Sequence, residues 1–551
     1  MLAAMPPTPP TTPNRGEPLI RDRGDACPGA LRLHPADDGR LARLRLPAGL
    51  LTSRQVAVLA AAAEELGDGS ISVTSRGNVE LRGLGEGCGT DLAERLAQAG
   101  LLPSATHERV RNIVASPLAG VDGIGCGDVQ LWARELDALL CARDWTAALS
   151  GRFLFAFDDG RGDVAGLGAD VTLFSTERTT GDGVGSPGAE APALAVDDGV
   201  GPTAPETAAP AASLPSSGPA GGVLVRVGRQ VRRVAPADAA RAALAAADAF
   251  LTAAREAGTG AWRVRELPEG FEPDLAAALR RADIPTWSPP EAAGSTPRLS
   301  PTGTTPSEAA ATAGATPAEA APASGNTPSA PAAPHPPAAE APATGTTPAE
   351  ASTATDTTPP TPTAPRPPAA EAPDRTRPTA PTPGPLPGVF RDPGSGRHAV
   401  AVSVRLGRLT ADQLRALAPS GGGELRLTPW RGAVVTGFTD RAAAEERLAA
   451  LAEAGLITRT DSPWLGVGAC TGRPGCAKSL ADVRADATPG HGGAGGRPVH
   501  FSGCERRCGH PKGTWVDVVA TRDGTYEVDG VPTPRTRLAA AVATARTPTT
   551  R

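Results

Sequence analysis

Ile71-Ser-Val-Thr-Ser-Arg76-Gly77 returns far downstream as Leu425-Arg-Leu-Thr-Pro-Trp-Arg431-Gly432. In both copies apolar and polar residues alternate up to a Thr, and an Arg-Gly pair follows, with one residue inserted in the second copy. The likeness extends in both directions. Leu-Thr-Ser-Arg-Gln at 51–55 matches Leu-Thr-Ala-Asp-Gln at 409–413, and Ala97-Gln-Ala-Gly100-Leu-Leu matches Ala452-Glu-Ala-Gly455-Leu-Ile. An internal duplication fixes an architecture before any single element does. Two homologous halves are expected to pack about a pseudo-twofold axis, with room for a ligand between them.

Each copy reads as strand, helix, strand, helix. In the first, Arg40–Leu46 alternates as a half-buried strand does, and Thr52 caps a helix running to Leu66. Gly67-Asp68-Gly69 turns the chain, Ile71–Leu81 is extended, and Asp91–Gln98 is a helix stopped by Gly100. In the second, Val400–Leu406 is a strand and Thr410–Leu417 a helix. Glu424–Val435 is extended, and Ala442–Ala454 is a helix ending at Gly455.

The chemistry concentrates after the second copy. Cys470-Thr-Gly-Arg-Pro-Gly-Cys476 and Cys504-Glu-Arg-Arg-Cys508 hold four of the eight cysteines. Gly and Pro between them let the backbone wrap a small object. Four converging thiolates suit zinc or an iron–sulfur cluster. Zinc sites favour two to four residues between paired ligands, so the wider first pair favours a [4Fe–4S] cluster. Two disulfides are the competing reading, disfavoured because nothing marks the chain as secreted. Cys27, Cys88, Cys126 and Cys141 show no ligand spacing.

Composition narrows the remainder. A net charge of −5 over 551 residues suggests neither nucleic acid nor a membrane surface as partner. No apolar run is long enough to span a bilayer, and the opening residues carry no signal-peptide core, so a cytoplasmic location is expected. Arginine replaces lysine almost everywhere; Lys478 and Lys512 remain, each within four residues of a C-terminal cysteine. An ammonium there is something a guanidinium cannot imitate. The repeat places Arg76, Arg431 and Arg111 around one axis with the cysteine segment, because Arg111-Asn112-Ile-Val-Ala-Ser116 follows the first half as the Cys470 stretch follows the second. Converging guanidinium forks suit a polycarboxylate. Asp158-Asp-Gly-Arg-Gly-Asp163 reads as a solvated acidic turn in preference to a cation site. Gly83-Leu-Gly85-Glu-Gly87-Cys88 lacks the last glycine of a dinucleotide loop, so no tightly built NADH site is expected.

Thr74-Ser-Arg76-Gly-Asn78-Val-Glu-Leu-Arg82-Gly83, Arg111-Asn112-Ile-Val, the Cys-x5-Cys pair and Gly503-Cys-x3-Cys508-Gly-His-Pro resemble the nitrite/sulfite reductase superfamily. Within it, Cys27-Pro28-Gly29, the Asp158–Asp163 turn and Val499-His-Phe-Ser-Gly-Cys504 are most similar to the precorrin-3B synthases. The resemblance implies an α+β fold of duplicated ferredoxin-like halves with a reductase-type [4Fe–4S] domain. The implied order is a disordered tail at 1–24, half 1 at 25–105, and a reductase-type domain at 106–179 and 222–287 interrupted by a flexible loop at 180–221. A disordered Pro/Ala/Thr-rich insertion at 288–388, half 2 at 389–460 and the cluster domain at 461–551 complete it.

The implied activity is the O₂-dependent hydroxylation of precorrin-3A at C20 with γ-lactone formation, in aerobic cobalamin biosynthesis. NADH is the formal donor, acting through a separate reductase or ferredoxin. Cys470, Cys476, Cys504 and Cys508 carry over as cluster ligands. Arg76 and Arg111, with Arg82, carry over as contacts to tetrapyrrole carboxylates, Asn112 and the repeat-placed Arg431 join them as substrate-binding candidates, and Lys478 and Lys512 are candidate catalytic groups for anion binding and proton delivery. A mononuclear non-haem iron would suit the oxygen chemistry. His500 and His510 lie near the cysteines and could serve as its ligands, but read as hydrogen-bonding residues because no facial triad is legible. Two alternatives stand beside this: an assimilatory nitrite or sulfite reductase with siroheme, and a non-catalytic iron–sulfur carrier or redox sensor.

Overall fold

A computed structural model describes residues 29–176, 222–287, 384–490, 496–511 and 513–547. The tail at 1–24, the loop at 180–221, nearly all of the 288–388 insertion, Cys27 and Lys512 lie outside the described residues.

The repeated Leu-Thr-x-x-Gln is a capping box. Thr52 accepts from the Gln55 backbone N–H while the Gln55 side chain returns to the Thr52 N–H, opening the Ser53–Leu66 helix. Thr410 and Gln413 do the same for Ala411–Ala416. Just upstream, Ala48 and Leu406 adopt matching left-handed conformations (φ 54° and 52°). These bends lead into two short strands, Leu50–Leu51 and Arg408–Thr410, and the halves exchange them. Arg408–Thr410 pairs antiparallel with Ser70–Val73 of the first half. Leu50–Leu51 pairs antiparallel with Leu425–Leu427 of the second. Each half therefore has a five-stranded antiparallel sheet whose last strand belongs to the other. A single apolar core runs through both: Leu44, Leu59, Val79 and Leu81 pack with Val402, Leu409, Leu414 and Val435.

The segments read as single extended stretches, Ile71–Leu81 and Glu424–Val435, are hairpins. Ser70–Val73 pairs with Val79–Leu84, and Leu425–Leu427 with Gly432–Phe438. Apolar alternation continues through both arms, so one strand and a hairpin look alike in sequence. The two turns have equal length, because Val73 faces Val79 and Leu427 faces Ala433. The sequence pairing of Arg76 with Arg431 is thus one residue out of register. Arg431 (φ 58°) occupies the left-handed place of Gly77 (φ 69°), and Trp430 stands opposite Arg76.

Each half is followed by a second sheet, and these two also share a topology. Ile113–Ala115, Phe155–Asp158 and Val171–Thr176 run parallel, and Gly222–Val227 and Gln230–Val234 continue antiparallel. Val467–Ala469, Val499–Ser502 and Val516–Ala520 run parallel, followed by antiparallel Tyr526–Val528 and Val531–Thr533. The first sheet packs on the Val129–Cys141 and Ala239–Ala257 helices. In the second, the place of the Val129–Cys141 helix is taken by the cysteine loop, with no helix among its described residues. No helix among the described residues is long and apolar enough to cross a membrane.

Candidate metal centre

Cys470 follows the Val467–Ala469 strand, and its N–H donates to the Phe501 carbonyl (2.9 Å). Its sulfur accepts the Gly503 N–H at 3.2 Å. The Cys476 loop is tied to the same spot: Ser479 N–H donates to the Cys476 carbonyl (2.9 Å), and Leu480 N–H to the Gly503 carbonyl (2.7 Å). A Cβ on Gly503 would fall 1.8 Å from Ser479 Oγ, so the approach requires glycine there. The Cys504 carbonyl accepts Arg507 N–H (3.1 Å), and His500 Nε2 donates to the Cys508 carbonyl (3.0 Å). Burial and the neighbouring thiols of Cys470, Cys504 and Cys476 push the Cys508 thiol up, against the pull of Arg506. Four free thiols thus gather beyond the carboxyl ends of two parallel strands.

Three arginines join them. Arg82 forks onto Asp38 (2.9 Å twice) and also donates to the Gly475 carbonyl (2.6 Å). Asp37, beside it, accepts the Ala477 N–H. The Asp37–Asp38 turn of the first half therefore clasps the loop carrying Cys476. Arg431 donates to the Gly509 carbonyl (2.6 Å), and Arg484 to the carbonyls of Cys470 (3.1 Å) and Leu406 (3.3 Å). Burial lowers Arg484 to about 10, assisted by the charges of Arg408, Arg431 and Arg82. Sequence reasoning missed Arg484 and Asp38. Asp38 acquires its role only through a contact distant in sequence.

Arg76, Arg111 and Asn112 bond to residues outside the cysteine loops. Arg76 donates to the Gly151 (3.4 Å) and Arg152 (3.2 Å) carbonyls. Arg111 is almost fully buried and forks onto Asp137 (2.5 and 2.6 Å). It lines a cavity of about 260 Å³ with Arg134, Asp137 and Glu424. Asn112 is buried, donating to the Gly151 carbonyl (2.8 Å) and accepting from Asn78 (3.1 Å). Lys478 is exposed beside Cys476. His510 stacks on Trp515 and donates to the Pro511 carbonyl. Both histidines thus have hydrogen-bonding partners.

The family model described as nitrite/sulfite reductase ferredoxin-like half domain matches residues 34–99 and 391–454. The two repeats are nitrite/sulfite reductase ferredoxin-like half domains. A precorrin-3B synthase from Sinorhizobium sp is 33% identical over 173 residues, 31% of this chain and 37% of that protein. A ferredoxin–nitrite reductase from Leptolyngbya laminosa is 42% identical over 109 residues, 19% of this chain and 21% of that protein. The chain thus spans between 21% and 37% of the length of these curated relatives. A structure of the Mycobacterium tuberculosis NirA protein shares the fold, with a TM-score of 0.52 and 14% identity over 91% of this chain and 79% of that one.

With the half domains superposed in topology, the acidic turn becomes intelligible. Ser116 follows Ile113–Ala115 as Cys470 follows Val467–Ala469. Asp159 N–H donates to Ser116 Oγ at 3.2 Å, as Gly503 N–H does to Cys470 Sγ. The place of the cysteines in the second half is thus occupied in the first by Asp158, Asp159 and Asp163. Reading these as a solvated turn is corrected by their burial, at 0%, 1% and 4% exposed. Asp158 accepts four backbone N–H groups, from Gly160, Gly162, Val164 and Ala165. Arg161 bridges Asp159 and Asp122, and Ser116 donates to Asp163 (2.6 Å). Burial pushes Asp163 up to about 7.

Four free thiols on neighbouring loops are a donor set of the kind that iron–sulfur clusters take. Among the described residues, Asp158, Asp159 and Asp163 bring three donor atoms within 4.8 Å of one another. On the Val499–Ser502 strand, Val499 and Phe501 enter the apolar core, so His500 and Ser502 face the other way. His500 Nδ1 and Ser502 Oγ are buried there without a partner among the described residues. Burial and Arg431 lower His500 to about 3, so the ring is neutral.

Proposed function

We propose that this chain is an iron–sulfur oxidoreductase acting on a tetrapyrrole, with the activity of a precorrin-3B synthase. The observation that carries the reading is the convergence of Cys470, Cys476, Cys504 and Cys508, clasped from the first half domain by Arg82 and Asp38. A [4Fe–4S] cluster held by these thiolates supplies one-electron transfer. The protein's own part is to hold it rigidly against the duplicated half domains and to present cations to carboxylates.

In this reading one oxygen atom of O₂ enters precorrin-3A at C20 and the γ-lactone closes. The other oxygen leaves as water, with two electrons from NADH delivered by a separate donor protein. Arg76 and Arg111 are the candidate carboxylate contacts, and Arg111 would exchange Asp137 for a substrate carboxylate. Lys478, exposed beside Cys476, with Lys512, is the candidate proton donor. The precorrin-3B synthase similarity supports this reading.

A second reading, a siroheme-dependent nitrite or sulfite reductase, is favoured by the ferredoxin–nitrite reductase similarities, at 42% and 36% identity. Anaerobic purification followed by turnover separates them. Incorporation of labelled oxygen from O₂ into precorrin-3A supports the first. Siroheme bands with nitrite or sulfite consumption, and no change in precorrin-3A, overturn it in favour of the second.

A further inference from the structure

We infer that Arg431 and Arg484 are the fixed counter-charges of the cluster and set its reduction potential, one arriving from a half domain and one from the cysteine loop itself. The inference rests on the reading that the four cysteines hold a [4Fe–4S] cluster. Both guanidiniums point at cluster-loop backbone: Arg484 Nε reaches the Cys470 carbonyl at 3.1 Å, and Arg431 Nη2 the Gly509 carbonyl at 2.6 Å. Neither has a carboxylate within ion-pair distance among the described residues. This contrasts with Arg82 and Arg111, each of which has one, and with Arg161, which has two.

The surroundings are built to admit Arg431. A Cβ on Gly407 would come within 2.4 Å of its Cδ, one on Gly468 within 2.8 Å of Nη1, and one on Gly509 within 2.6 Å of Nη2. Three separate glycines thus leave the channel through which this side chain runs. Arg484 continues the row, donating to Leu406 as well (3.3 Å). Two like charges in one partly buried place repel each other, and among the described residues neither is ion-paired, Glu80 acting on Arg431 only from beyond ion-pair distance. Four thiolates around an iron–sulfur core carry net negative charge, which supplies the missing partner. Reduction adds a further negative charge, so nearby fixed cations favour the reduced state and raise the potential. The carbonyl contacts fix the distance at which they act.

The test is a redox titration of purified holoprotein, followed by EPR, with iron and sulfide content measured alongside. Arg431→Gln and Arg484→Gln retain a hydrogen-bond donor but lose the charge, and are expected to titrate at more negative potential with undiminished iron and sulfide. Arg431→Lys and Arg484→Lys, which keep the charge, should titrate close to the parent. A Gln variant that fails to load iron while its Lys counterpart loads and titrates normally also supports the charge role. Gln variants with the parent potential overturn the inference, as do Lys variants that behave like the Gln variants. A parent protein without iron and sulfide instead defeats the cluster reading beneath it.

Discussion

Gly503→Ala should disable the cysteine site through one added methyl group. The new Cβ would sit 1.8 Å from Ser479 Oγ and 2.7 Å from Ser479 Cβ, with Ser479 Cα at 3.2 Å. The hydroxyl can rotate aside, but the Cβ cannot without moving the 476–480 loop that presents Cys476. Overpacking of this kind costs about 1–3 kcal/mol, enough to depopulate the assembled loop by about 5- to 150-fold. The displaced backbone also weakens the Gly503 N–H to Cys470 Sγ bond (3.2 Å). A graded rescue follows from the geometry. Ser479→Ala removes the Oγ clash and leaves the Cβ clash, while Ser479→Gly removes both. Iron per chain after reconstitution should therefore fall in Gly503→Ala, recover slightly with Ser479→Ala, and recover most with Ser479→Gly. Thermal unfolding should follow the same order. If Gly503→Ala loads iron fully and melts with the parent, the tight loop crossing has no bearing on the site.

Replacing Cys476 or Cys504 with Ser should abolish cluster absorbance, and stoichiometric zinc without iron in the anaerobically prepared parent would contradict the cluster assignment. Arg76→Ala should weaken tetrapyrrole binding at least tenfold, a floor of ~1.4 kcal/mol set below the ~2–5 kcal/mol for truncating one member of a buried charge pair; unchanged binding with the cluster intact would remove Arg76 from the substrate contacts. Asp163, pushed up to about 7 by burial, is protonated in the folded chain and ionised in the unfolded chain between its ordinary range and that value. Its contribution to stability therefore falls as pH rises through that window, by up to a few kcal/mol. Asp163→Asn keeps an acceptor for Ser116 and should flatten this slope in urea titrations run across the window; an unchanged slope would refute it.

The duplication was legible because its strongest signal is local. Thr52 with Gln55 and Thr410 with Gln413 close capping boxes within one turn, and such spacing survives in sequence. The hairpins were not, since alternation is blind to a turn placed in phase with it. The off-by-one pairing of Arg76 with Arg431 has the same origin: residue identity suggested an insertion that equal turn lengths exclude. The four cysteines were legible from spacing, whereas the clasp by Asp38 and Arg82 joins residues hundreds of positions from Gly475. The acidic turn looked solvated because four aspartate-bound N–H groups and a buried arginine bridge cannot be inferred from composition alone.

The exchanged strands bear on how the chain must fold. The exchange is reciprocal, with each half completing the other through the same short segment, which is the geometry of an isologous twofold dimer. Either half alone would leave a sheet edge unpaired, and open edges invite association with other chains. Joining the halves covalently turns that encounter into an intramolecular one, governed by effective concentration. The connection then acts through proximity and needs no contact of its own. Two fragments, one ending near Trp287 and one beginning near Gly384, should therefore complement each other when co-expressed and should aggregate when expressed singly.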